Sequence, residues 1–197
     1  MKSPRFLQLI VIMLVLLAGC ASANTSRSIE DYRMPTDVPT TEELTATVQA
    51  RIDASTPPKD CPITTPGKAT FQAPKPYSTD APWEGIFWYG TEGLWTALHT
   101  NGVWDGLPHN PTGYTQKIMW WSESYVLKDE LQPALTVTGR RLDAEAHPLI
   151  TYGATNAYAE DIGDAMLTGV DFPTLGCWEI TGRYRKSELK FVVWIAP

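Results

Sequence analysis

From Trp83 to the C-terminus, the sequence consists of short runs rich in β-branched and aromatic residues, separated by turns that contain Gly, Pro or Asn. Such runs are typical of β-strands. The predicted strands are 86–89, 94–99, 117–121, 135–138, 165–170, 177–184 and 188–195. No helical periodicity lies between them, so the pattern differs from the alternating strands and helices of a parallel α/β fold. It predicts a single all-β domain over 61–197, an immunoglobulin-like antiparallel β-sandwich.

Two hairpins are predicted within this domain. Asn101-Gly102 is the strongest hairpin signal in the chain, because a type I′ turn needs positive φ at both central positions. With these residues as the loop, His99 and Trp104 pair across the two strands and share a face. In the last hairpin, over 177–195, apolar residues alternate on both strands, which is typical of one buried face of a sandwich.

Residues 20–60 are polar and predict a flexible tether that contains one short helix at 41–52. Thr40 and Glu43 have the spacing of a capping box. Apolar residues then recur every four positions at Leu44, Val48 and Ile52. The sequence leaves open whether this helix packs on the domain or forms only weakly. Seven prolines between positions 55 and 82 predict extended, irregular chain there.

The N-terminus has the anatomy of an export signal, with basic residues followed by an apolar run over 6–17. That run is shorter than the about 20 residues that span a membrane, which disfavours a retained transmembrane helix. Leu-Ala-Gly-Cys at 17–20 resembles a bacterial lipobox, and an ordinary secretory cleavage site would not need the cysteine. We therefore expect signal peptide 1–19 to be removed and lipid on Cys20 to anchor the chain to a membrane. The expected location is extracytoplasmic, and Ala21 resembles proteins sent to the outer membrane if the host has one.

Charge limits the classes of partner. Removing residues 1–19 takes away Lys2 and Arg5 and no carboxylate, so the formal net charge goes from −6 to −8. The longest basic run, 183–186, is interrupted by Tyr184. Nucleic acid is therefore not an expected partner.

The other two cysteines are Cys61 and Cys177. In an oxidising compartment two such thiols most often form one disulfide. Two separate buried thiols are the alternative.

Several motifs in this chain resemble those of a family of uncharacterised bacterial secreted proteins and lipoproteins. They are Cys-Pro-Ile-Thr at 61–64, Gly-Leu-Trp-Thr at 93–96, Lys117 with Trp120-Trp121, Gly-Arg-Arg-Leu-Asp at 139–143, Phe172-Pro173 and Gly-Cys-Trp-Glu-Ile-Thr-Gly-Arg at 176–183. The resemblance covers residues 61–195 and implies an architecture without implying an activity. It also implies that Cys61 and Cys177 belong to one pattern, which strengthens the disulfide prediction. Ser122 departs from the family, whose members tend to carry Arg after the paired tryptophans.

Motifs for catalysis or metal binding are weak. The sequence has no Gly-x-Ser-x-Gly elbow and no Cys-x-x-Cys pair. His99 and His109 could converge with Asp105, although ordinary strand and loop histidines are the favoured interpretation. Acidic residues cluster at Glu160, Asp161 and Asp164 without the spacing of a calcium loop, which favours a solvated loop. No cofactor or metal is expected.

The unusual feature of composition is tryptophan, with eight residues, six of them between positions 83 and 121. An exposed row of these rings would make a glycan platform or a protein-binding patch. The candidate ligand-binding residues are Trp83, Trp88, Trp95, Trp104 and Trp120. The alternative is core packing, and the adjacent Trp120 and Trp121 must point to opposite faces of a strand.

These observations favour a lipid-anchored envelope protein that acts as a non-enzymatic binding or structural module. The first alternative is a module that binds glycan or peptidoglycan through exposed tryptophans. The second is an envelope hydrolase that uses paired carboxylates, whose pairing would be spatial and is not readable from spacing.

Overall fold

The computed structural model describes residues 39–68 and 71–197. The predicted signal peptide, Cys20 and the first part of the predicted tether lie outside the described residues. The chain divides into two units at Thr40, and every element described below belongs to the second, Thr41–Pro197. Among the described residues no helix is long and apolar enough to cross a membrane.

The second unit contains one helix followed by strands. Helix α1 spans Thr41–Ser55, and it begins where the capping-box spacing predicts. The strands are β1 (Ile86–Thr91), β2 (Leu94–His99), β3 (Val103–Trp104), β4 (His109–Asn110), β5 (Gly113–Trp121), β6 (Thr136–Arg141), β7 (Ile150–Thr151), β8 (Thr155–Ala159), β9 (Gly163–Phe172), β10 (Gly176–Tyr184) and β11 (Ser187–Ile195). All the runs predicted from sequence are strands, β3 was predicted only as the second strand of the Asn101-Gly102 hairpin, and β4, β7 and β8 were not predicted.

The strands form two sheets, which confirms the all-β sandwich. Sheet A has the order β1-β2-β5-β9-β7, with β4 also paired to β5 and β8 to β9. Sheet B has the order β3-β11-β10-β6. All neighbours are antiparallel except β3 and β11, which are parallel. This one parallel pair makes sheet B mixed, whereas the sequence predicts antiparallel neighbours.

The cause of that exception is the turn at Asn101-Gly102, where the predicted hairpin is wrong. Gly102 has φ of 65°, but Asn101 does not have positive φ, so the turn is not type I′. The Asn101 side chain instead accepts a hydrogen bond from the Val103 N–H at 3.0 Å, and the Gly102 carbonyl accepts one from Trp194 N–H at 2.9 Å. These bonds direct β3 to β11, so His99 and Trp104 lie in different sheets.

The space between the sheets is filled by large side chains. Phe172 makes edge contacts with Trp104 and Trp178 at centroid distances of 6.0 and 5.5 Å. The alternating apolar residues of β10 and β11 all face this layer, as their pattern predicts. Trp120 lies in the same layer, whereas Trp121 lies on the outer face of sheet A, which confirms that the pair points to opposite faces.

The proline-rich stretch before β1 covers part of both outer faces. Thr64 makes two hydrogen bonds with Val192 of β11. The Thr64 N–H donates to the Val192 carbonyl at 2.8 Å, and the Thr64 hydroxyl oxygen accepts from the Val192 N–H at 2.9 Å. Further along, Phe71 and Tyr77 pack against Trp95 on the outer face of sheet A. The stretch is thus irregular, as predicted, but well attached.

Helix α1 has no buried residue, and its apolar stripe is half exposed. The carbonyl of Ala54 accepts a hydrogen bond from the indole N–H of Trp194 at 3.2 Å. At its C-terminal end the helix thus contacts the domain, but its apolar stripe is not packed against it.

Candidate functional site

Strands β2 and β5 separate soon after they meet, and this leaves an opening in sheet A. Their register consists of two pairs, Trp95 with Trp121 and Thr96 with Trp120. At the other end of β5, β4 pairs with Gly113 and Tyr114. Between these points, residues 115–119 of β5 have register partners in β9 alone. We call the opening the β2–β5 cleft.

The β2–β5 cleft has a volume of about 180 Å³. It is lined by residues from the turn before β1, from β1 to β3 and from β5, namely Trp83, Ile86, Ala97, His99, Trp104, Gln116, Lys117, Ile118 and Met119. Its lining combines an apolar floor with polar groups at the rim. Trp104 and Ile118 are buried members of the inter-sheet core and form the floor, while His99 and Lys117 are exposed.

Hydrogen bonds close the cleft at both ends within the plane of the sheet. At one end, the Thr96 hydroxyl donates to the Met119 carbonyl at 2.7 Å. At the other, the Thr115 N–H donates to the Pro108 carbonyl at 2.8 Å. Between them, the N–H of Lys117 donates to the side-chain oxygen of Gln116 at 2.9 Å. These bonds occupy the Thr115 N–H, the Lys117 N–H and the Met119 carbonyl, which leaves fewer backbone groups of β5 for an added strand.

The charge of the cleft differs in sign from that of the whole chain. The lining residues include Lys117 and contain no carboxylate, although the formal net charge of the chain is −6. Among the described residues, Lys117 has no carboxylate within ion-pair distance. An anionic group that entered the cleft would therefore meet a cation that is not already paired.

The five candidate tryptophans are not an exposed row, so that expectation is wrong. Trp88, Trp95, Trp104 and Trp120 are between 0% and 4% exposed, and Trp83 is 43% exposed. The alternative of core packing is confirmed for those four, because both the inter-sheet layer and the covered part of the outer face of sheet A need large apolar side chains. Stacking on a sugar would require at least two exposed ring faces among the five.

Asp171 of β9 is a fully buried carboxylate that lies beside the β4–β5 turn, outside the cleft. It accepts hydrogen bonds from three hydroxyls, that of Thr112, that of Thr115 at 2.8 Å and that of Tyr152 at 2.6 Å. The side-chain amide of Asn110 donates a longer one at 3.4 Å. Burial alone would raise its pKa, but these donors outweigh burial and hold the pKa of Asp171 below its ordinary value. The carboxylate therefore joins β4, β5 and the chain after β7.

The motif residues around Cys177 form a structural network. Cys61 and Cys177 form the predicted disulfide, with a Cα–Cα distance of 5.8 Å. Beside it, Asp143 accepts from Arg141 at 2.7 Å and from the Cys177 N–H at 3.1 Å. The hydrogen bond from Arg141 is the main cause that lowers the pKa of Asp143. Gly176 has φ of 135°, a conformation that L side chains rarely adopt, and a Cβ there would also lie 2.5 Å from the Arg141 Nε.

Carboxylates with a lowered pKa are poorly suited to act as general acids, since a general acid must hold its proton near neutral pH. A third such group is Glu130, whose pKa is lowered first by the hydrogen bond from the Tyr184 hydroxyl. Together with Asp143 and Asp171, it is an acceptor in a structural contact. These three carboxylates do not support the hydrolase alternative.

The histidines and the acidic cluster do not form a metal site among the described residues. His109 packs against Tyr114 at a centroid distance of 4.7 Å, whereas His99 lies in the cleft. Asp164 of the acidic cluster accepts a hydrogen bond from the Leu127 N–H at 3.0 Å. Glu160 and Asp161 are exposed, as a solvated loop would be.

No family model matches this chain, and neither a curated protein nor a solved structure matches it. The interpretation of the site therefore depends on its own geometry. Sequence reasoning placed Trp83 and Trp104 in a binding surface and considered His99 for a metal, but it did not assign a role to Gln116 or Lys117. No spacing signal reveals the cleft, because it arises where two strands stop pairing.

Proposed function

We propose that this chain is a lipid-anchored envelope protein whose sandwich is a non-enzymatic binding module. The observation that carries the proposal is the β2–β5 cleft, where an indole, an imidazole, an amide and an unpaired ammonium group line an opening with an apolar floor. Such a combination of apolar lining and a few polar groups is typical of ligand sites. The Cys61–Cys177 disulfide supports an oxidising compartment.

The anchoring part of this proposal is tested by changing Cys20 to Ser. The wild-type protein should remain in the membrane fraction after a high-salt wash and enter the detergent phase on phase separation. The C20S variant is expressed behind an ordinary secretory signal, so that the apolar run at 6–17 does not stay attached, and it should be released as a soluble protein because lipid cannot be attached to serine. Ser22→Ala, two residues further on, is the matched control and should leave the protein membrane-bound.

Retention of the C20S variant in the membrane fraction would contradict lipid anchoring. In a host with two membranes, the wild-type protein should fractionate with the outer one.

The binding part is tested by crosslinking in the host cell. A photoreactive residue at Trp83, at the rim of the cleft, should capture a partner, and Lys117→Ala should reduce the yield of that adduct. A photoreactive residue at Glu188, which is exposed on sheet B, is the control position. Equal adducts from both positions, unaffected by Lys117→Ala, would contradict a binding role for the cleft.

A further inference from the structure

We propose that the β2–β5 cleft binds the free C-terminal residue of a peptide or protein, with an apolar side chain on the floor and the terminal carboxylate at Lys117. This inference depends on the proposed binding function and specifies its ligand class. Three properties of the cleft lead to it: size, closure and charge.

The size of the cleft limits the ligand to a single residue. The cleft has a volume of about 180 Å³. It is smaller than the roughly 300 to 1,000 Å³ of pockets that enclose drug-sized ligands. The cleft thus has room for one large apolar side chain, but not for an oligosaccharide or an extended segment.

The closure of the cleft excludes a chain that runs through it. The hydrogen bonds at Thr115 and Met119 close the two ends, and the four residue steps between them span about 13 Å along β5. Peptides that add to a sheet need a strand edge with free backbone groups along their length. A chain terminus can enter such an opening from the outer face without passing through it.

The charge and polarity of the lining select the kind of terminus. Trp104 and Ile118 provide an apolar floor, and Lys117 provides a cation without a carboxylate partner among the described residues. An internal Asp or Glu would supply the negative charge without an apolar body. An internal Leu would supply the apolar body without the charge. A C-terminal Leu or Phe supplies both in one residue.

The test compares a peptide acid with its amide. Fluorescein-labelled Gly-Gly-Ser-Gly-Leu with a free carboxylate is titrated with the full-length protein in detergent, and fluorescence anisotropy reports binding. The C-terminal amide of the same peptide should bind at least tenfold more weakly. A third peptide that ends in Asp should also bind more weakly, because it lacks an apolar side chain for the floor.

Two protein variants localise the binding. Lys117→Ala should weaken binding of the peptide acid at least fivefold. Lys190→Ala is the matched control, since it removes an exposed strand lysine from sheet B, and it should bind as the wild type does.

Equal affinity for acid and amide, or unchanged affinity in Lys117→Ala, would overturn the assignment of a C-terminal ligand. A second outcome is that no peptide binds, while the photoreactive residue at Trp83 still captures a partner and Lys117→Ala reduces that capture. In that case the proposed ligand class is wrong, but the proposed binding function of the cleft still holds. If both fail, the proposed function fails with it.

Discussion

The two sheets fit closely at Gly182 of β10, where sheet B lies against Trp120 of sheet A. A Cβ at position 182 would be 2.4, 2.6 and 3.0 Å from three atoms of the Trp120 six-membered ring. Ordinary contacts between carbon atoms are about 3.5 to 4.0 Å, so the ring would have to move by about 1 Å. Trp120 is fully buried and also packs on Phe191 at a centroid distance of 5.7 Å. Overpacking of this kind costs about 1 to 3 kcal/mol, and we expect Gly182→Ala to cost about 3 kcal/mol because the neighbour is a rigid indole.

Guanidinium unfolding of the oxidised mature chain carrying Cys20→Ser measures this cost. A loss of about 3 kcal/mol corresponds to a melting temperature lower by roughly 6 to 12 °C for a domain of this size. Gly153→Ala is the matched control, since a Cβ there has nothing within 4 Å, and it should change the free energy of unfolding by less than about 0.5 kcal/mol. In a double-mutant cycle, Trp120→Phe should recover part of the loss caused by Gly182→Ala, because the smaller ring leaves room for the methyl group. Equal stability of the two glycine variants would refute the close packing at Gly182.

Two further predictions concern stability. Replacing Cys61 and Cys177 by Ala should lower the free energy of unfolding by about 5 kcal/mol in the chain-entropy model, because the disulfide closes a loop with a sequence separation of 116. Reducing the disulfide of the wild type should lower the free energy of unfolding by a similar amount in the same guanidinium assay. A loss below about 1 kcal/mol would contradict this stabilising role of the disulfide. Asp171→Ala should cost about 2 to 3 kcal/mol at pH 7, because the hydroxyls of Thr115 and Tyr152 lose their acceptor and that of Thr112 retains only the Asn110 side chain. Since the pKa of Asp171 is lowered in the folded state, its stabilisation is present above about pH 4 and is lost as the pH falls through the folded pKa. Urea unfolding at pH 7 and pH 3 should therefore show a smaller difference between wild type and Asp171→Ala at the lower pH, and a constant difference would contradict the role of the ionised carboxylate.

The parts of the fold that the sequence predicts are those set by local periodicity. Along β10 and β11, alternate residues are apolar, and the same residues face the inter-sheet layer in the structure. Trp120 and Trp121 are a second example, since neighbours on a strand must face opposite sides. The disulfide was also predictable, because only two cysteines remain once Cys20 is assigned to lipid.

The parts that could not be predicted depend on long-range contacts. The Asn101-Gly102 pair has the composition of a hairpin turn, yet the Gly102 carbonyl bonds to Trp194 in the other sheet. Strands such as β3 and β4 have two residues each, too few for periodicity to be visible. The exposure of tryptophan was equally inaccessible, because the same ring can pack in a core or stand at a surface.

The location of the β2–β5 cleft follows from what covers sheet A and what does not. Phe71 and Tyr77, in the proline-rich stretch, cover the part of the outer face where β2 and β5 are paired, around Trp95. Further along β5, the strands have separated and the outer face carries the exposed Lys117. Had the proline-rich stretch continued over this region, the opening would be a closed cavity. Because it does not, residues 115–119 of β5, which lack a strand pair on the β2 side in the described part of the chain, border an opening whose lining includes the buried Trp104.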